Sequence, residues 1–322
     1  MCNGTIMDKL ISFSIPLMLS GILQLMFNAV DIVVVGRFSG SQALAAVGST
    51  TALINVFTNL FIGISLGANV LAARYYATGK TKEMSETVHT AIALALVSGV
   101  AMAVIGVVFA RGALEIMGTP DDVIAKSTLY MRIYFCGMPF FMMYNYGAAI
   151  LRAVGDTKRP LIFLIVSGVI NAILNLFLVI GFHLDVAGVG IATVISQLVS
   201  CILVLRCLHH TESSYQLHLA KLRIRSVYLK QIFEVGVPAG IQSTVINISN
   251  AMLQSSVNSF GSIAMAGYTA SNNIFGFLYV SVNSFTQACM SFTSQNYGVK
   301  KLKRMDRVLI DCMILSVVVT LI

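Results

Sequence analysis

The sequence predicts an all-α polytopic membrane protein. Hydrophobic residues make up 57% of its 322 positions and charged residues only 11%, whereas a soluble domain carries about 25% charged residues. Runs of about 20 mostly apolar residues follow one another, each long enough to cross the roughly 30 Å hydrocarbon core of a bilayer. With no water there to satisfy backbone polar groups, runs of this length are read as helices. The alternating ten-residue pattern of a membrane barrel strand is absent.

Nine spans are expected, at 11–36, 45–76, 88–110, 123–151, 160–182, 186–208, 231–260, 266–296 and 308–322. The first is too long, and too lightly charged in front, for a cleaved signal peptide. It reads as a retained helix with Pro16 about one turn in. The second closes on "RYYATGKTKEM", the fourth on "LRAVGDTKRP", and the fifth near Gly181 or Phe182. The sixth runs from about Asp185 and gives way to "HHTESSYQLHLAKLRIRSVYLK", the only long polar interval. That interval divides the chain into a block at 1–208, a linker at 209–230 and a second block at 231–322. The ninth span stops at Ile322 in mid-membrane, which reads as a fragment or a truncated gene.

The net charge of +8 is distributed by loop. With the N-terminus in the cytoplasm, 17 of the 21 basic residues fall on the inside, leaving Arg37, Arg111, Lys126 and Arg132 in or near outer loops. The positive-inside rule therefore places the N-terminus in the cytoplasm of a multi-pass cell-membrane protein, with basic runs against anionic head groups. No aromatic-interleaved basic surface suggests nucleic acid. The six cysteines show no metal-ligand spacing and are read as small apolar residues. HExxH and P-loop patterns are missing, and an enzyme is not expected.

The second block repeats the first. "FSIPLMLSGILQLMFNAVDIVVVGRFSGSQALAAVG" corresponds to "FEVGVPAGIQSTVINISNAMLQSSVNSFGSIAMAGY", pairing Pro16 with Pro238. Further on, Tyr76 aligns with Tyr297 and Met84 with Met305. Six spans separate the copies, so they share one orientation. This is a parallel repeat about an axis along the membrane normal.

Asp31, inside "QLMFNAVDIVVVGRF", is the residue that composition does not explain. A carboxylate at bilayer depth costs about 2.5–3.5 kcal/mol on insertion scales, and Asp31 has no Lys or Arg one turn away. It must be protonated, hold a cation, or face water. Burial raises a carboxyl pKa and a bound cation lowers it, so one residue can exchange the two. Counting 1.5 Å per residue from the span ends puts Asp31, Asn175 and Thr193 roughly 8–12 Å below the outer surface, with Asn171 one turn from Asn175. Their oxygens are hard ligands that suit sodium or a hydrogen-bonded proton.

The opening "IPLMLSGILQLMFNAVDIVVVGRFSGSQALAAVGS", the "LRAVGDTKRP" loop, "NAILNLFLVIGF" and "GVGIATVISQ" occur in order and resemble the multidrug and toxic compound extrusion (MATE) transporters. The resemblance runs the length of the chain. It implies two six-helix lobes around a central cleft, with the second lobe incomplete here. It also implies export of organic cations, drugs or amphiphiles by alternating access, driven by H+ or Na+ as the coupling ion, with no other cofactor. In the DinF-like branch, cation binding uses an aspartate, an Asn-x-x-x-Asp pair and a threonine. These fall on Asp31, Asn171, position 175 and Thr193, making Asp31, Asn171 and Thr193 the possible Na+ ligands. The sequence departs at 175, where the acid is replaced by asparagine. The glutamate of the NorM-like branch aligns with Ile246 and is absent. Gln24 and Tyr130 resemble cavity-lining positions, and Gln242 is a further cavity candidate from the second block.

With Gln242, the amides Asn247, Asn250, Asn258, Asn272, Asn273, Asn283 and Gln287 suggest a wet cavity between blocks. His89, His183, His209, His210 and His218 read as surface residues. Glu234 and Asp311 read as solvated, with Arg307 one turn from Asp311. "GISLG" and "GVPAG" are GxxxG patterns that signal close helix packing. The expected partners are the organic cation or amphiphile and the lipid bilayer, with the chain acting as a monomer. A lipid-linked oligosaccharide flippase is the competing transport class, but the spans at the presumed cleft are expected to lack Lys and Arg. A non-functional truncated remnant is the other alternative.

Overall fold

The computed structural model describes residues 1–258 and 262–321. Its helices are α1 (Ile6–Phe38), α2 (Gly40–Ala77), α3 (Thr81–Ile116), α4 (Asp121–Cys136), α5 (Met138–Ala153), α6 (Lys158–Leu176), α7 (Asp185–His209), α8 (Ser226–Asn258), α9 (Ser262–Gly298) and α10 (Leu302–Leu321). No strand occurs among the described residues. α1, α2, α3, α7 and the stretch Lys158–Gly181 are each long and apolar enough to cross a membrane. Most run past their expected ends because the polar flanks continue the helix; at 33 residues, α1 is roughly 50 Å long. Residues 259, 260 and 322, at the expected ends of the seventh and ninth spans, lie outside the described residues, as do the side chains of Asn258 and Asn273.

The expected single span at 123–151 is two helices. Proline lacks an N–H and its ring crowds the carbonyl four residues back, so Pro139 interrupts the ladder at Gly137. The Gly137 carbonyl starts α5 by accepting from Phe140 and Phe141 at 3.0 and 3.1 Å. Gly99 of α3 fits against this break, where an added Cβ would sit 2.5 Å from Pro139 Cα. A second irregularity is the π-turn Phe177–Gly181, which widens the end of α6.

The chain termini of α2, α5, α7 and α9, the N-terminus and the linker gather at one end of the bundle, the basic end. There, Lys301 Nζ donates to the Cys2 carbonyl at 2.9 Å and to Asn3 Oδ1 at 2.8 Å, and Arg304 Nη2 to the Gly4 carbonyl at 2.8 Å. The linker folds onto α3: Arg223 Nη2 and Arg225 Nε reach the Glu86 carboxylate at 2.6 and 3.2 Å. His89 is not a surface residue, as its sequence position suggested. It is 3% exposed, its Nδ1 bonds the Ser85 carbonyl at 2.6 Å, and its Nε2 accepts the His218 N–H at 3.1 Å. This pattern needs the neutral Nδ1–H tautomer. Asp311 is also corrected: it is 7% exposed and forms no ion pair with Arg307 within 4.0 Å.

The two blocks meet along α2 and α8, and the GxxxG patterns are the reason. Cβ atoms on Gly63 and Gly67 would overlap the α8 backbone at Gly240 and Ile232; those on Gly236 and Gly240 would overlap α2 at Ile64 and Leu60. Without side chains the two backbones approach closely, which is how membrane helices gain packing when lipid offers no hydrophobic drive. Burial then divides the molecule. α1 buries Leu10, Phe13, Ser14, Pro16 and Leu17, and then no described residue from 18 to 33. α8 buries Ile232, Gly236 and Gly240 but no described residue beyond, and α9 buries none from 267 to 280 and many after Ser281. The blocks are packed at the basic half and separate toward the other end.

Gly63→Leu is expected to destabilise the protein by about 1–3 kcal/mol, the usual cost of overpacking. The backbone it meets cannot move aside as a side chain would. A lowered Tm in detergent relative to the exposed control Gly112→Leu checks this; equal melting would show that the α2–α8 contact tolerates separation.

Candidate cation site

Asp31 and Asn175 are brought together by helix packing. Phe27, one turn before Asp31, covers Gly168 so closely that a Cβ there would collide with the ring. With α1 and α6 held at that spacing, Asn175, two turns beyond Gly168, meets Asp31. Asn175 is fully buried and Asn171 is 6% exposed. Asn175 Nδ2 donates one hydrogen to Asp31 Oδ1 and the other to Asn171 Oδ1, the latter at 3.2 Å.

Both amide hydrogens of Asn175 are therefore spent, and its Oδ1 is buried with no partner. A buried amide oxygen left unpaired costs about 1–3 kcal/mol. Asp31 itself is half-buried and forms no ion pair with Lys or Arg among the described residues. The cluster is thus short of positive charge. Its oxygens, the Asp31 carboxylate and the amide oxygens of Asn171 and Asn175, are hard acceptors, which suit a proton or a hard monovalent cation. No group of three His, Cys, Asp or Glu able to hold a metal occurs among the described residues, so an ion bound here would rest on one carboxylate and amide oxygens.

The other expected members stand differently. Thr193 is half-buried and donates its hydroxyl to the Val189 carbonyl of its own helix at 2.9 Å. It is not hydrogen-bonded to the acid. Tyr130 is 6% exposed, its ring centroid 6.1 Å from that of Tyr134, and both rings are electrostatic neighbours of Asp31. Gln24 and Gln242 are exposed. Three features went unseen in the sequence. Tyr134 carries only the weak signal of lying at i+4 from Tyr130. Gln197, one turn beyond Thr193, has an Oε1 that is buried without a partner, packed where a Gly137 Cβ would stand. The π-turn after Asn175 has no sequence signature; such bulges collect at functional sites. At the basic end of the contact between blocks, Arg152 of α5 lies near Gln287 of α9, and Arg74 of α2 lies beside Gln231 and Glu234 of α8.

A bundle of long apolar helices, split by a glycine seam and holding one acid among amides, finds its match in a known family model. The MatE model aligns with residues 16–177 and 238–322. This chain belongs to the MatE family. Among its relatives, the probable multidrug resistance protein YoeA of Bacillus subtilis is 32% identical over 304 residues, covering 92% of this chain and 66% of that protein. The probable multidrug resistance protein YpnP of the same organism is 25% identical over 304 residues, covering 94% and 67%. The chain thus spans about two thirds of the length of these relatives. A solved outward-facing structure of a multidrug resistance MATE family transporter has the same fold, with a TM-score of 0.91, 21% identity, and coverage of 99% of this chain and 71% of that one. As a MatE member, the chain is a multi-pass membrane protein.

The acid missing from this MatE member at 175 gives a direct test. Asn175→Asp adds a second carboxylate beside Asp31 and should strengthen sodium binding. Raising sodium against choline at constant ionic strength is expected to increase the Tm of the variant more than that of the wild type. A response no larger than the wild type's would show that position 175 does not face the ion.

Proposed function

We propose that this protein is a secondary active antiporter that exports organic cations, drugs or other amphiphiles by alternating access, coupled to the inward flow of H+ or Na+ through Asp31. The observation that carries this reading is the cluster of Asp31, Asn175 and Asn171, which holds an acid with no basic partner and leaves Asn175 Oδ1 buried and unpaired. The names of the relatives as multidrug resistance proteins support the cargo class.

Placed by the positive-inside rule, the N-terminus and the basic end face the cytoplasm. The halves of α1, α8 and α9 that bury nothing then face outward, and the conformation is outward-facing. Asp31 lies in that outer half. When the coupling ion binds, it neutralises the carboxylate and satisfies the orphaned amide oxygen, stabilising the state in which α1 and α6 are drawn together. When the ion leaves, the unpaired acid needs water or a cationic substrate. Ion and substrate thus weaken each other's binding reciprocally, and that coupling is what drives exchange. Residues 1–208 form the first lobe and 231–322 the start of the second, joined by the linker 209–230, and the protein works as a monomer.

Asp31→Asn is expected to abolish ion-driven efflux of a cationic dye from energised vesicles while leaving the protein inserted and its Tm unchanged or raised. Running the assay at fixed pH with and without sodium identifies the ion. Wild-type efflux rates in the Asp31→Asn protein would remove Asp31 from the coupling mechanism.

A further inference from the structure

Arg152 is a cation without a partner in the interior of the block contact. It is the last residue but one of α5, half-buried, and makes no ion pair or hydrogen bond among the described residues. Its surroundings show where it points. Gln295 Nε2 of α9 donates to the carbonyl of the next residue, Ala153, at 2.6 Å. Arg152 instead borders a crevice too narrow for a water molecule, with Asn69 of α2 and with Gln287 and Ser291 of α9. Gln287 lies eight residues, about 12 Å, farther from the basic end than Gln295. The guanidinium is therefore turned away from the head groups and into the bundle.

The polar groups around that crevice do not answer its charge. Asn69 is spent locally: its Nδ2 donates to the Ala149 carbonyl at 2.8 Å and its Oδ1 accepts from Ser291 at 3.0 Å. The Gln287 amide has no hydrogen bond among the described residues. Arg74, on the same face of the contact, has a buried Nε without a partner and a guanidinium carbon 4.9 Å from the centroid of the Tyr297 ring. Glu234 shares the pocket beside Arg74 but forms no ion pair with it. Arg152 has no such acid near it. An unpaired guanidinium presents a planar fork of N–H donors suited to a phosphate or carboxylate. Here it is held on three helices at the contact that must open for the basic end to admit a substrate.

We propose that Arg152 and Gln287 form an anion-recognising subsite of the transport cleft, so that the cargo includes amphiphiles bearing a phosphate or carboxylate group as well as cations. This rests on the export reading and extends it. Asp31 supplies acceptors in the outer half and Arg152 supplies donors in the inner half. A molecule carrying both charges, or an anion that enters from the basic end, finds a counterpart at each depth. The alternative is that Arg152 only seals the closed contact.

Flavin mononucleotide and riboflavin, which differ by one phosphate, provide the probe. Binding to the protein in phosphatidylcholine nanodiscs is read by flavin fluorescence, and ethidium efflux is measured on the same preparations in vesicles. The wild type is expected to bind the phosphorylated flavin about tenfold more tightly than riboflavin, the yield of one charge-assisted contact. Arg152→Gln should remove that preference, and Arg152→Lys should restore part of it. Gln287→Leu, which leaves the charge in place, should reduce it and guards against misfolding of the arginine variants; Tm is followed for all three. Equal affinity of the wild type for both flavins, or a preference that survives Arg152→Gln, overturns the proposal. If ethidium is exported while the flavins are not distinguished, the subsite fails and the export reading stands. If the flavin preference depends on Arg152 but ethidium is not exported, the subsite stands and the export reading fails.

Discussion

A carboxylate placed among apolar helices sets the terms for the rest of this structure. Asp31 has no cation within reach, and what holds it is a single amide, Asn175, which donates to it and to Asn171. That arrangement requires α1 and α6 to lie at a fixed spacing, and Phe27 on Gly168 sets it. It also leaves an amide oxygen orphaned. The acid is satisfied by an amide and not by an arginine, so its charge has no counterpart among the described residues.

The contact between the two blocks is built on a different economy. In lipid, helices gain little by hiding apolar surface from one another, so close backbone approach and dispersion must hold them. The glycines of α2 and α8 provide that approach in the basic half. The tail at Cys2–Gly4 and the linker on Glu86 and His89 add polar ties at the same end. Toward the other end nothing comparable exists on α8, where described residues beyond Gly240 are unburied. A seam strong at one end and absent at the other is a hinge in physical terms. It separates the donor-bearing contact around Arg152 from the acceptor cluster around Asp31.

The residues that misled the sequence reading share a cause. His89 and Asp311 lie near polar stretches, where water is the default partner, but the linker covers one and α9 and α1 pack around the other. Arg152 sits in a basic loop motif and is turned inward by its neighbours. Thr193 was matched by depth and by resemblance; neither fixes the direction of a side chain around its helix, and its hydroxyl bonds its own backbone.

The sequence by itself determined that the chain is helical and membrane-spanning, and which acid lies among apolar residues. Each of these follows from composition, run length or spacing, which are local properties of the chain. Only the tertiary structure decided that Asn175 and not Thr193 holds Asp31, that the two GxxxG patterns face each other, that proline splits the fourth span, and that Arg152 points into the bundle. These depend on the rotation and tilt of one helix against another. Packing sets those angles, and no single segment encodes them.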